Sequence, residues 1–344
     1  HNGLVNYDRT PKEWGYDAFV EGMTLRDVFA ADVVGLDCPP CQTLPPGATF
    51  RAAVFVSNFG PRALDGARVR WRLDFVDRFG ARHPYDEGSL PVQPRHYGVA
   101  GVGDLVATLP NEPGLATLAL WLVSADGTVV NRTYVNVEIH GELPPVERIP
   151  GGYAIRFRPA DCLHSTWPRS PSGPHAPKFA ATGTGSVTYR VALPDDLDVH
   201  TIRGLRLLFE ASARAGLAKV DWKERVRGAD YPQTEPGKQY PTDVTIRLNG
   251  QTIATITLPD DPADARGVLS HHANVDPGSY GYLQDVRVPM DVLAAVREDL
   301  ARDRTATIEF AVLPDVVHRG GLVLYGARVG AYPVEPTLLI ETKE

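Results

Sequence analysis

Few residues in this chain have the types and spacing that chemistry requires. His271 and His272 adjoin each other, with Asp260, Asp261, Asp264 and Asp276 close by in sequence. Imidazole nitrogens and carboxylate oxygens are ordinary ligands of divalent cations. Neighbouring residues of a strand point to opposite faces, so both rings reach one ion only from a loop. The simpler reading is a solvated acidic turn carrying loop histidines. Cys38-Pro39-Pro40-Cys41 has the CxxC spacing of redox and metal sites. A redox pair needs its first sulfur at a helix N-terminus, where the thiolate is stabilised. Here Leu36-Asp37 precedes the run and Pro45-Pro46-Gly47 follows it, so it reads as turn and linker. With three cysteines in all, at least one stays unpaired within the chain. Asp195-Asp196 has the pattern of an exposed turn, and no carboxylate pair is marked as an acid-base couple. The chain has no GxSxG elbow, HExxH, phosphate-binding GxxxxGK[ST] or double CxxC. Gly101-Val102-Gly103 lacks a third glycine and reads as a loop. No catalytic residue is assigned, and no metal-ligand set is identified.

The aromatic residues say more. Segment 218–242 is rich in proline, glycine and charge and holds Trp222, Tyr231 and Tyr240. Segment 259–281 holds His271, His272 and Tyr280. The strand expected over 243–248 leaves the first segment, Asn249-Gly250 reverses the chain, and the strand over 251–258 returns to where the second begins. Both segments therefore belong at one end of their domain. A third segment, 160–178, holds His164, Trp167 and His175, and its end is not fixed by the same argument. Aromatic faces stack on the C–H faces of sugar rings, while Asp, Asn, Arg and His bond the hydroxyls. The candidate glycan-binding residues are thus Trp222, Tyr231, Tyr240, His271, His272, Tyr280 and Trp167. In the competing reading each aromatic only pins its own loop to the domain.

The elements that must carry these residues follow from periodicity. The chain has 344 residues, enough for two or three domains. Hydrophobic residues make up 43% and charged residues 22%, which suits a folded globular chain. A short helix is expected over 11–19, with Trp14, Ala18 and Phe19 as its apolar stripe. Strands are expected over 50–58, 67–75, 105–109, 116–124 and 129–139, with a hairpin at Asp126-Gly127. In 67–75, Val69, Trp71, Leu73 and Phe75 alternate with Arg68, Arg70, Arg72 and Asp74, so one face is buried and one is wet. This spacing suggests an immunoglobulin-like sandwich over 28–142. A stiff linker spans 143–150. A second all-β block covers 151–344, with strands at 153–158, 186–192, 201–211, 243–248, 251–258, 282–288, 305–313 and 322–332 and a helix at 291–302. It suggests a jelly roll of the galactose-binding or carbohydrate-binding-module kind.

Several partners are excluded by composition. The net charge of -7 offers no basic field for a nucleic-acid backbone. The longest apolar run, 115–123, is too short for a membrane helix, which needs about 20 residues. Residues 1–8 are polar and carry no apolar signal segment. Asn131-Arg132-Thr133 fits the glycosylation sequon, a match that is common by chance.

One phrase carries a resemblance. Asn2-Gly3-Leu4-Val5-Asn6-Tyr7-Asp8-Arg9-Thr10-Pro11-Lys12 resembles the end of the catalytic (β/α)8 barrel of glycoside hydrolase family 2, the β-galactosidase and β-glucuronidase group. In that family the phrase leads into the last barrel helix, which residues 14–20 would supply, so 1–27 is expected as a barrel remnant. An immunoglobulin-like domain commonly follows there, and often a further sandwich. The family's two catalytic glutamates lie on barrel strands before this phrase, so none carries over, and this chain is not expected to hydrolyse glycosides by itself. The resemblance implies a non-catalytic C-terminal portion that binds or positions glycan through its jelly roll. Its partners would be carbohydrate and the catalytic barrel of the same polypeptide, with Trp14 and Phe19 facing that barrel. No cofactor is implied beyond the structural calcium that jelly rolls of this type often carry. A secreted or cell-envelope location is the expectation. Two other readings stay open: purely structural or oligomerisation domains, and a small independent hydrolase on the jelly roll.

Overall fold

The computed structural model describes residues 12–61, 63–93, 95–167, 177–214, 241–259, 262–314 and 320–343. The chain divides into two compact units. One comprises His1–Glu142 with Asp264–Pro277, the other Leu143–Ala263 with Gly278–Glu344.

The first unit is an immunoglobulin-like β-sandwich. Its strands are β1 (Asp32–Asp37), β2 (Cys41–Leu44), β3 (Thr49–Asn58), β4 (Arg68–Val76), β5 (Arg82–Pro91), β6 (Gly98–Thr108), β7 (Gly114–Val123) and β8 (Val129–Ile139). One sheet has the order β1-β3-β6, the other β2-β8-β7-β4-β5. Alternation sets what lies between them. Phe50, Ala52, Val54 and Val56 of β3 face Val69, Leu73 and Phe75 of β4 and Leu118, Leu120 and Leu122 of β7 in one core. Each of the larger side chains stabilises the fold by roughly 1.5–3 kcal/mol through burial. Gly127, at a φ of 88°, makes the tight β7–β8 reversal that Asp126-Gly127 predicts.

Four strands differ from the sequence expectation: β1 and β2 were not expected, β2 starting at Cys41 within the run read as turn and linker, and β5 and β6 differ as follows. β5 is a polar edge strand whose residues are exposed or half-buried, so no apolar period marks it. β6 begins at Gly98 and absorbs Gly101-Val102-Gly103 as strand, not loop. A side chain on Gly101 or Gly103 would meet nothing within 4 Å, so nothing there demands an apolar residue.

The expected helix over 11–19 is replaced by one 3-10 turn, Tyr16–Ala18, because Gly15 takes a left-handed φ of 72°. Helix α1 (Leu25–Val28) follows, with Thr24 as its N-cap. Phe19 is buried and stacks on Tyr134 at 4.8 Å, and Trp14 stacks on Tyr16 at 6.4 Å. These two residues therefore have partners inside their own unit, contrary to the expectation that they face elsewhere. Segment 259–281, read as a loop of the second domain, contains β17 (Ala263–Gly267) and α2 (Val268–Ala273). Val268, Leu269 and Ser270 are buried, and α2 packs on β2 and β8 of the first sandwich. That apolar face explains why 264–277 joins the first unit.

The second unit is a jelly-roll β-sandwich. Its strands are β9 (Val146–Ile149), β10 (Gly152–Arg156), β11 (His164–Ser165), β12 (Lys178–Ala181), β13 (Gly185–Ala192), β14 (Ile202–Ser212), β15 (Thr242–Leu248), β16 (Gln251–Leu258), β18 (Gly278–Ser279), β19 (Tyr282–Arg287), β20 (Thr305–Val312), β21 (Leu322–Tyr325) and β22 (Thr337–Thr342). One sheet runs β12-β21-β14-β22-β10-β9, with β19 also on β14, and the other runs β11-β13-β20-β15-β16. Phe179, Tyr189, Phe209, Ile246, Phe310 and Leu338 lie in the core between them. Asn249 and Gly250, at φ 46° and 80°, form the β15–β16 turn. Helix α3 (Met290–Asp303) buries Leu293, Val296 and Leu300 at helical spacing.

The linker expected over 143–150 is part of this sandwich. β9 pairs with β10, and the carbonyls of Pro144 and Pro145 accept bonds from Arg156. The strand expected over 322–332 stops at Tyr325, because the chain beyond it turns to the buried Glu210 carboxylate. Glu210 accepts the backbone N–H of Gly281 at 2.7 Å, Ala331 at 2.9 Å and Tyr332 at 3.0 Å.

Candidate functional site

The structure does not gather the sequence-predicted residues into one site. Trp222, Tyr231, Tyr240 and His175 lie outside the described residues. Trp167 is 5% exposed, its Nε1 donates to the Gly183 carbonyl at 3.1 Å, and its ring meets Phe179 at 5.6 Å. A Cβ on Gly185 would sit 2.6 Å from the indole, so the glycine leaves room for the ring. Tyr280 is 4% exposed. Both are interior residues rather than stacking platforms, which corrects the reading of their loops as open surface.

His271 and His272 occupy consecutive positions of α2 in the first unit. Consecutive helical residues point about 100° apart. His271 is exposed, while His272 Nε2 is sealed from solvent without a hydrogen-bond partner. Burial pushes the His272 pKa down, favouring the neutral ring. Among the described residues no three His, Cys, Asp or Glu side chains come together as a metal cluster. Cys38, Cys41 and Cys162 are free thiols. Burial pushes the Cys38 and Cys41 thiols up, away from the reactive thiolate.

The first unit carries instead a groove of about 710 Å³, which the sequence reading missed. It lies on the outer face of the β2-β8-β7-β4-β5 sheet. The register builds it. Ser89 of β5, Arg70 of β4, Trp121 of β7 and Arg132 of β8 are successive cross-strand partners. One row along, Glu87 pairs with Arg72 and Arg72 with Ala119. Arg68, Arg70 and Arg72 share this face because strand side chains repeat every second residue. Arg70 Cζ lies 6.0 Å and Arg72 Cζ 5.6 Å from the centre of the Trp121 indole. Glu21, Gly22, Trp71, Gly88 and Val129 complete the lining.

The wall bearing Glu21 and Gly22 is anchored from below. Asp27 Oδ2 accepts from the Thr24 amide at 2.9 Å, and its Oδ1 accepts from Arg132 Nη1 at 3.3 Å. Asn131 Nδ2 donates to the Asp27 carbonyl at 2.8 Å, while its Oδ1 accepts from the Val34 amide at 3.0 Å. Arg132 Nε is buried without a partner. Arg72 donates through Nε and Nη2 to the buried Asp74, at 3.1 and 2.8 Å. Arg68 and Arg70 are exposed and make no ion pair with the described residues.

A signal for this groove was present in the sequence. The run 114–123 looks uniformly apolar, yet alternation puts Leu118, Leu120 and Leu122 in the core between the sheets and Trp121 on the opposite row, beside the arginines of 68–72. A large aromatic facing three arginines across the strand pair is the signal.

No protein family matches the chain, and no characterised protein does. Among solved structures, a CARDB domain from Pyrococcus furiosus, crystallised with di-metal ions, is similar at 16% identity. The match covers 31% of this chain and 91% of that one, with a TM-score of 0.22.

Proposed function

We propose that this chain is a non-catalytic, glycan-binding accessory portion of a glycoside hydrolase of the family 2 type. The observation that carries the reading is the groove of the first sandwich, with Trp121 at its floor and arginines and glutamates around it. A half-buried indole gives a sugar ring a flat apolar surface, and the charged rim supplies directed hydrogen bonds, the division of labour usual in ligand sites. The 2–12 phrase and the order of immunoglobulin-like sandwich then jelly roll support the family. The jelly roll's share in binding rests on Trp222, Tyr231 and Tyr240.

Affinity electrophoresis through gels containing plant, algal or microbial polysaccharides tests this reading. Retardation by at least one polymer, lost in Trp121→Ala, is expected. A parallel Trp222→Ala variant reports whether the jelly roll contributes. Unretarded migration in every gel contradicts a binding role.

A specific observation favours a second, structural reading. In the first unit Phe29 is 65% and Tyr97 66% exposed, with Phe59 and Val99 also exposed. Phe59 bonds the Ala31 carbonyl and Tyr97 the Asn58 carbonyl, which holds these side chains at one end of the β1-β3-β6 sheet. Such an apolar cluster suits docking against another domain. Self-association that vanishes in Phe29→Ser with Tyr97→Ser would favour this role.

A further inference from the structure

We infer that the ligand of the Trp121 groove is an acidic glycan, one whose sugars carry carboxylate or sulfate groups. The inference rests on the glycan-binding reading and deepens it.

Two of the groove's four arginines are already committed. Arg72 is bonded to Asp74 and Arg132 to Asp27. Arg68 and Arg70 remain, two residues apart on one face of β4 and about 7 Å apart along the strand. Neither has an acidic partner among the described residues, and both line the groove beside Trp121. A guanidinium offers a planar fork of donors that fits carboxylate and sulfate in bidentate fashion. The arrangement therefore provides two unused anion forks next to a surface for a sugar ring.

Neutral glycans need hydroxyl partners and would leave both forks unused. A nucleic-acid backbone fits poorly as well. It calls for an extended basic strip, whereas this chain has a net charge of -7 and Glu87 stands across from Arg72 within the same groove. Glu87 is placed to accept from sugar hydroxyls and to disfavour a continuous run of phosphates.

The test compares the full chain with an Arg68→Gln/Arg70→Gln variant by affinity electrophoresis and calorimetry. The probes are polygalacturonate, a sulfated galactan, neutral xylan, neutral β-glucan, poly-glutamate and single-stranded DNA. Both arginines are exposed, and an unchanged melting temperature confirms folding. The expected result is binding to at least one acidic polysaccharide, weakened at least tenfold in the double variant, with poly-glutamate and DNA bound at least tenfold more weakly. Binding of neutral polymers that depends on Trp121 and is unchanged in the double variant overturns the inference and leaves the glycan reading intact. Equal binding of poly-glutamate or DNA also overturns it, since charge alone would then account for retention. Binding of no polysaccharide removes both.

Discussion

Arg70 and Trp121 are cross-strand partners of β4 and β7, and the guanidinium carbon lies 6.0 Å from the centre of the indole. On the neighbouring strand β8, Arg132 is its cross-strand partner. The indole thus meets two cations of β4, Arg70 and Arg72, the latter with its guanidinium carbon 5.6 Å from the ring centre, through strand register rather than through a loop. A site built on paired strands keeps its geometry better than one built on loops. Cation–π contacts of this kind contribute about 0.5–1 kcal/mol each at exposed positions.

Trp121→Ala separates binding from folding. The ring is half-buried on the outer face, so its loss should cost about 1–2 kcal/mol of stability, below the 3–5 kcal/mol typical of a core tryptophan. Glycan retardation should disappear. Urea denaturation and affinity gels on the same preparation measure the two effects.

Asp27→Ala strikes the wall of the groove. It removes the acceptor of the Thr24 amide and the partner of Arg132, whose Nε already lacks one. An unpaired, largely buried guanidinium is costly, and a loss of about 2–4 kcal/mol is expected. Binding should weaken with it, because Glu21 and Gly22 lose their anchor. Denaturant midpoints and calorimetry report both.

Trp167→Ala should do the opposite of what its place in a polar loop suggests. It deletes a core side chain packed on Phe179, so the second sandwich should lose about 3–5 kcal/mol. Retardation that depends on Trp121 should persist at a temperature where the variant is folded. Its loss there would show that Trp167 contacts ligand.

The jelly roll should lose stability as pH rises. Burial pushes the Glu210 carboxyl up to about 7, against the opposing pull of three backbone N–H donors. Burial likewise pushes Glu335 up to about 7, and although that residue is half-buried as a whole, its Oε2 is sealed from solvent without a partner. In the unfolded chain both titrate near ~4.3. Between that value and about 7 the folded state holds protons that the unfolded state has released. Their stabilisation is therefore complete below about pH 4 and is lost as pH rises through 7, on the order of 3 kcal/mol for Glu210. Glu335→Gln should flatten part of this slope. Thermal melts from pH 4.5 to 8.5 on both proteins check it, and an unchanged slope would contradict it.

Much of this fold was legible in the sequence where burial on one face enforces a period of two. β3, β4, β8, β13, β15 and β16 fall close to their expected ranges for that reason. β5 was not legible, because an edge strand with both faces wet carries no apolar period. Nor was the placement of 264–277 on the first sandwich, since nothing local tells the buried Val268 and Leu269 of α2 which sheet they cover. The aromatic residues misled in one respect. Trp167 sits among prolines and polar residues, yet Gly185 and Phe179 make room for it inside. The site itself was half-visible: Arg68 and Arg70 read correctly as exposed, Asp74 of the same expected face is buried under Arg72, and Trp121 was hidden in a run that looked wholly apolar.

The most direct measurement is a titration of isotope-labelled protein with oligogalacturonide and with neutral xylo-oligosaccharide, following the Trp121 indole and the arginine Nε–H resonances by NMR. Shifts are expected to concentrate at Trp121, Arg68 and Arg70, with Arg72 and Arg132 affected less because Asp74 and Asp27 already hold them. Complex formation that leaves Trp121 and its arginines unmoved would contradict this and place the glycan site elsewhere.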